Sequence, residues 1–216
     1  MLSRSIWKEI CTEANIWHNE VGSMHLAYHD DELQVISEYV EVNHAHRDCR
    51  LLTAEEALQR SPAVNPDGLK GALWSGEEMI VESRVAIGQV AKYLAEKYGV
   101  EFHWNTAITQ IDYPEVISGS RTWRADEIFV CSGSDFETLY PELFLETNIT
   151  KCKLQMMRLV TQPDEWRIGP SLCGGLSMIH YPGFQAAASL PALRKRYEEQ
   201  YAEYLKWGIH VMVSQN

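Results

Sequence analysis

Ser83-Arg84-Val85-Ala86-Ile87-Gly88-Gln89-Val90-Ala91-Lys92-Tyr93-Leu94-Ala95-Glu96-Lys97-Tyr98-Gly99 reads as an amphipathic helix. Ile87, Val90, Ala91, Leu94 and Tyr98 recur at spacings of three and four, and Gly99 is a good C-terminal stop. Val100-Glu101-Phe102-His103-Trp104 follows as a short strand, and Thr106 to Asp112 as another. A hairpin turns around Gly119, and Ala125 to Cys131 runs as a buried strand into Ser132-Gly133. This order, from Glu82 to Asp135, predicts an α+β fold with the helix packed on mixed or antiparallel strands.

Outward from that stretch the periodicities alternate between helix and strand. Ile6, Trp7, Ile10, Ala14 and Trp17 share a helical face, with Ser3 or Ser5 as N-cap. Ser23 to His29 reads as a strand, and Asp30-Asp31 opens a helix carrying Leu33, Ile36 and Val40. Thr53-Ala54-Glu55-Glu56 has the form of a capping box, and its helix stops near Ser61-Pro62. Ala72 to Trp74 is a strand, and Asp135 to Leu139 a short helix. Thr150 to Thr161 alternates apolar and polar residues and predicts a long strand. Gly169 to Gly183 reads as loop. Leu193, Tyr197, Tyr201 and Tyr204 form the stripe of a helix over 190–207, capped by Ser189 and followed by a strand at 209–213.

The 216 residues suffice for a sizeable core. A net charge of −11 repels phosphate backbones and anionic lipid, so nucleic acid and membrane surfaces are poor partners. No apolar run is long enough to cross a bilayer, and the charged N-terminus lacks the apolar core of a signal peptide. Cys11, Cys49, Cys131, Cys152 and Cys173 are odd in number and widely spaced, which fits buried thiols in a reduced, cytoplasmic protein. His44 and His46, with Asp48 and Cys49, have metal-ligand chemistry. No second cluster supplies partners, and that run reads as a polar helix end or loop, so no metal is expected.

Two places can accept a ligand. Ala107 beside Ile108 puts a small residue next to a β-branched one and allows close approach of a flat ring. Cys131-Ser132-Gly133 ends a strand where glycine lets backbone come close to a ligand.

The order of elements in 82–135 resembles the flavin-dependent amine and amino-acid oxidases of the D-amino-acid oxidase, glycine oxidase and sarcosine oxidase superfamily. Ser3 to Trp7, Val21 to Leu26, Lys153 to Met156 and Ile209 to Gln215 are similar to flanking segments of the same family. Gly169 to Gly175 and His180-Tyr181-Pro182 resemble its aminophosphonate-oxidising members. The resemblance implies FAD as cofactor, its adenine half backed by Ala107, Ile108, Cys131, Ser132 and Gly133. It implies oxidation of a C–N bond in a small amine or amino acid, with hydride passing to flavin and the imine hydrolysing. Lys153, Arg158, His180 and Tyr181 are the implied substrate-binding residues. Residues 82–148 would belong to the FAD-binding domain, and 1–81 and 149–216 mainly to the substrate-binding domain.

Gly-x-Gly-x-x-Gly, the phosphate loop of dinucleotide-binding folds, does not occur in these residues. With a strand running to the C-terminus, this points to a segment of a longer enzyme that binds FAD weakly or not at all alone. The alternative is a self-contained α+β module that binds a small molecule without redox chemistry.

Overall fold

The computed structural model describes residues 2–216. In chain order the elements are α1 (Leu2–Glu13), β1 (His18–Asn19), β2 (Ser23–Ala27), α2 (Asp30–Asn43), β3 (Cys49–Thr53), α3 (Ala54–Arg60), β4 (Gly71–Ser75), β5 (Ile80–Val81) and α4 (Ser83–Tyr98). There follow β6 (Gln110–Asp112), β7 (Glu115–Ser118), β8 (Arg121–Arg124), α5 (Pro141–Leu145), β9 (Ser171–Cys173) and α6 (Ser177–His180). A 3-10 turn at Pro182–Ala186, α7 (Leu190–Gln200), α8 (Ala202–Lys206) and β10 (Met212–Val213) complete the order. The expected mixture of α and β is present. The chain divides into two compact units, one running up to Leu94 and from Arg158 onward, the other Ala95–Met157.

The larger unit is built on a five-stranded sheet of order β10-β9-β2-β4-β3. β2 and β9 are parallel, and every other neighbouring pair is antiparallel. Strand alternation sends Met24, Leu26, Leu52, Ala72 and Leu172 to one face, where they pack with Ala57 of α3, Val64, Leu69 and Ile168. The other face carries Ala27 and Leu73 against Val35 and Ile36 of α2, Met178 of α6, Phe184, and Leu193 and Tyr197 of α7. A sheet covered on both faces explains why Ser23, Met24, Leu26 and Ala27 of β2 are all buried. Cys11, Ile16 and Ala86 form a separate core where α1 meets α4.

Local signals act as their chemistry dictates. Thr53 Oγ1 accepts from the Glu56 N–H at 3.2 Å, and the Glu56 carboxylate accepts from the Thr53 N–H at 2.8 Å, closing the capping box of α3. Asp30, Asp31 and Glu32 fill the first turn of α2, where their charge complements the helix dipole. Two caps differ from expectation. Ser3 and Ser5 lie inside α1, which already runs from Leu2. Ser189 makes no side-chain cap, and its backbone N–H donates instead to Glu38 at 2.8 Å. The helix expected over 190–207 is two helices, because Tyr201 leaves helical backbone at φ −129° and ψ 27°.

The helical stripes are rotated from those read in the sequence. In α4 Ala86 and Ala91 are buried, whereas Ile87 and Tyr98 are exposed. Of the stripe read around α1, Trp7, Ile10 and Ala14 pack on the core, whereas Ile6 and Trp17 are exposed, and Ala14 and Trp17 lie beyond the helix end at Glu13. Cys11, Cys49 and Cys173 are buried, but Cys131 and Cys152 are exposed, and all five are free.

The smaller unit holds a three-stranded antiparallel meander, β6-β7-β8, with the second hairpin at Gly119 as expected. Four expected elements are not formed. Residues 100–104 and 125–131 carry no strand, 135–139 is irregular and not helix, and 150–161 carries neither strand nor helix. The terminal strand shortens from 209–213 to Met212–Val213, and the loop expected at 169–183 contains β9 and α6. A strand exists only where a neighbour completes its backbone hydrogen bonds. Leu154, Met156, Met157, Leu159 and Val160 are exposed, so alternation in 150–161 does not mark a buried face among the described residues.

Candidate functional site

In the smaller unit, Ala107, Ile108, Cys131 and Ser132 line a cavity of about 340 Å³. Ile111, Val116, Ile128 and Val130 supply apolar wall, and Thr106, Ser132, Asp135 and Thr138 the polar groups. The volume is near the lower end of small-molecule sites, at about 300 Å³. Gly133 is not part of the wall. It turns the chain at φ +61°, a conformation glycine adopts without strain, and a Cβ there would meet nothing within 4 Å. Asp135 Oδ1 accepts from the N–H groups of Glu137 at 3.1 Å and Thr138 at 3.0 Å. The Thr138 hydroxyl and these backbone donors hold its carboxyl below the usual range, so it is ionised at neutral pH. No lysine or arginine lines the cavity.

The expected substrate residues are divided between the two units. Lys153 belongs to the smaller unit, while Arg158, His180 and Tyr181 belong to the larger. Arg158 is exposed and lies 3.6 Å from Glu82. His180 and Tyr181 do come together with residues that sequence reading passed over. The rings of His180 and His210 are 4.5 Å apart, and the Tyr181 hydroxyl lies 3.0 Å from Met212 Sδ. Tyr181 stands edge-on to His25 at 6.3 Å, and Phe184 does so at 5.1 Å. Among the described residues no group of three or more His, Cys, Asp or Glu could hold a metal ion.

Burial sets the charge of this cluster. It pushes His25 down to about 4, so the imidazole is neutral at pH 7. It pushes the Cys173 thiol up to about 11, helped by the Glu78 carboxylate. His180 is lowered by burial, then by His210 and Arg194. The signal for His25 was in its neighbours. A histidine between Met24 and Leu26 on a strand with both faces buried has no wet side.

A pH dependence follows from His25. The unfolded chain takes up its proton near 6.5, the folded chain only near 4. Between those values the unfolded state binds more protons, so stability falls as pH drops through that window. Urea denaturation from pH 7 to 4 is expected to show this loss, and His25→Gln to flatten it.

The family model for FAD-dependent oxidoreductases matches residues 1–204. The chain belongs to that family. Among solved structures it is similar to L-proline dehydrogenase from P. horikoshii, with 21% identity and a TM-score of 0.51 over 56% of this chain and 34% of that one. It is also similar to glycine oxidase from Geobacillus kaustophilus, with 21% identity and a TM-score of 0.50 over 57% of this chain and 36% of that one. Likeness at this identity concerns the fold, and it spans about a third of each relative's length. No match to a curated protein was found.

FAD is the cofactor of this family. The cavity in the smaller unit suits only part of it. Apolar walls with scattered hydroxyls accept a flat heteroaromatic ring, and the Asp135 carboxylate can accept from a sugar hydroxyl. The same carboxylate repels a pyrophosphate, and no lysine or arginine lines the cavity to offset it. The lining therefore fits the adenosine half and not the phosphates.

Proposed function

We propose that this FAD-dependent oxidoreductase acts on the C–N bond of a small amine or amino acid, and that residues 82–148 contribute to the site of the cofactor's adenine half. The observation that carries the reading is the meeting of Ala107, Ile108, Cys131 and Ser132 around one cavity in a chain of this family. Bound FAD supplies the hydride acceptor, so the protein's tasks are to hold the substrate, orient its amine and exclude water. His180 and Tyr181 are the substrate-facing pair in this reading. Lys153 and Arg158 are cationic candidates for an anionic end of the substrate. An aminophosphonate falls within that class, on the resemblance of 169–175 and 180–182. Residues 1–81 and 149–216 then serve mainly substrate binding.

Adenosine titrated into the isotopically labelled chain is expected to shift the backbone amides of Ala107, Ile108, Cys131 and Ser132. FAD is expected to bind no more tightly than adenosine, because the lining offers its phosphates no donor set. Ala107→Trp fills the cavity from an exposed position and should abolish the adenosine shifts while leaving the melting temperature nearly unchanged. Micromolar FAD binding by calorimetry, or adenosine shifts that survive Ala107→Trp, would assign the cofactor elsewhere.

A further inference from the structure

His25 stands at the middle of β2. The register sets it beside Leu73 of β4 and Cys173 of β9, and Cys173 beside Met212 of β10. His25, Cys173 and Met212 thus make one row across three strands, on the face where Phe184 and Tyr181 pack. Ser23 lies two residues back on the same face, about 7 Å along the strand.

Both ring nitrogens of His25 and the Ser23 hydroxyl are buried, and none has a hydrogen-bond partner in the protein. Buried polar atoms are costly to leave unpaired, so three in one small region point to an occupant. His25 as a residue is partly covered, but both ring nitrogens are enclosed, so an occupant reaches them only as the side chains around the ring give way. The side chains known to flank the ring are Leu73, Cys173, Phe184 and Tyr181, all uncharged at neutral pH.

We propose that His25 and Ser23 form a subsite for the uncharged, hydrogen-bonding end of a small ligand, the neutral amine of the substrate class named above. That identity rests on the function proposed for the chain. The subsite itself rests on the unpaired atoms. A neutral imidazole offers one donor and one acceptor, and a hydroxyl offers both. A neutral amine matches this set with its N–H groups and its lone pair. A carboxylate or phosphonate would meet only uncharged side chains and the Glu78 carboxylate that acts on Cys173, and an ammonium would lose its hydration against an uncharged row.

The test is imidazole nitrogen NMR on the whole chain without FAD at pH 7. The probes are propionamide as an uncharged donor and acceptor, propionate as anion and propylammonium as cation. Propionamide is expected to shift the His25 ring nitrogens saturably, and the two ions are not. His25→Leu should abolish binding as read on the Ser23 and Cys173 amides, and His25→Gln should keep it. The direct shift on His25 needs no variant, so a misfolded His25→Leu leaves the test intact. No shift with any probe overturns the proposal, as does an equal shift with the ions. Ring nitrogens held only by a long-lived water give the first of these results. Flavin is absent throughout, so failure here leaves the adenosine result standing, and failure there leaves this one.

Discussion

Replacing Glu32 with alanine is expected to cost about 3–5 kcal/mol of folding stability, the range for breaking one side of a buried ionic network. Glu32 is 5% exposed. Its Oε2 accepts from the backbone N–H groups of Tyr28 at 2.8 Å and His29 at 3.2 Å. Its Oε1 accepts from the Tyr197 hydroxyl at 2.7 Å and from Arg196 Nη2 at 3.0 Å. One carboxylate thus ties the start of α2 to the middle of α7. Its loss leaves the Tyr197 hydroxyl buried and unpaired, and leaves Arg196 only Asp31, at 2.5 Å, and Gln200. The packing has no slack. A Cβ added at Gly175 would fall 2.6 Å from the Tyr197 hydroxyl and 2.9 Å from Glu32 Oε1. Urea unfolding, extrapolated to water, measures the loss. A cost below about 1 kcal/mol, the worth of a single ordinary hydrogen bond, would mean that the four donors do not converge in solution.

Gly22→Ala is expected to cost about 2–4 kcal/mol, from left-handed backbone strain and overpacking together. Gly22 has φ +70°, and a Cβ there would strike the Ser75 carbonyl oxygen and lie 3.3 Å from Trp74 Nε1. Neither neighbour gives way easily. Ser75 is ladder backbone, and the Trp74 ring is held by the guanidinium groups of Arg50 at 4.8 Å and Arg60 at 5.2 Å from its centroid. The Gly22 carbonyl also accepts from the Ser171 N–H at 3.0 Å, which sets the β2–β9 register and with it the His25–Cys173 row. Gly133→Ala is the control. Its φ is +61°, but the space around it is open, so only the backbone strain of about 1 kcal/mol remains. Equal losses in the two variants, measured as urea midpoints, would show that the Ser75 contact relaxes freely.

Much of the larger unit was legible because its signals are local. The capping box at Thr53–Glu56 is complete within four residues, and the acidic start of α2 needs only its own helix dipole. Ser23 to Ala27 was read as part of a strand although it holds no β-branched or aromatic residue, and the structure pairs it on both sides. The ring-sized neighbours Ala107 and Ile108 and the end at Cys131-Ser132 were also readable, because residue size is a property of the sequence. Their meeting around one cavity was not readable, since it depends on how the chain returns from the β6–β8 meander.

By itself the sequence determined the mixed α and β character, the helices α2, α3 and α4, and the residue types able to face a flat ring. These rest on backbone periodicity, capping and side-chain volume, which act within a few residues. Only the tertiary structure decided which apolar runs are strands. Residues 125–131 and 150–161 have the composition of strands but no ladder partner among the described residues, whereas the brief Ser171–Cys173 becomes a strand because β2 and β10 lie beside it. Only the tertiary structure, likewise, placed His25 where both its nitrogens go unpaired. Hydrogen-bond completion is a relation between distant segments, and no local pattern encodes it.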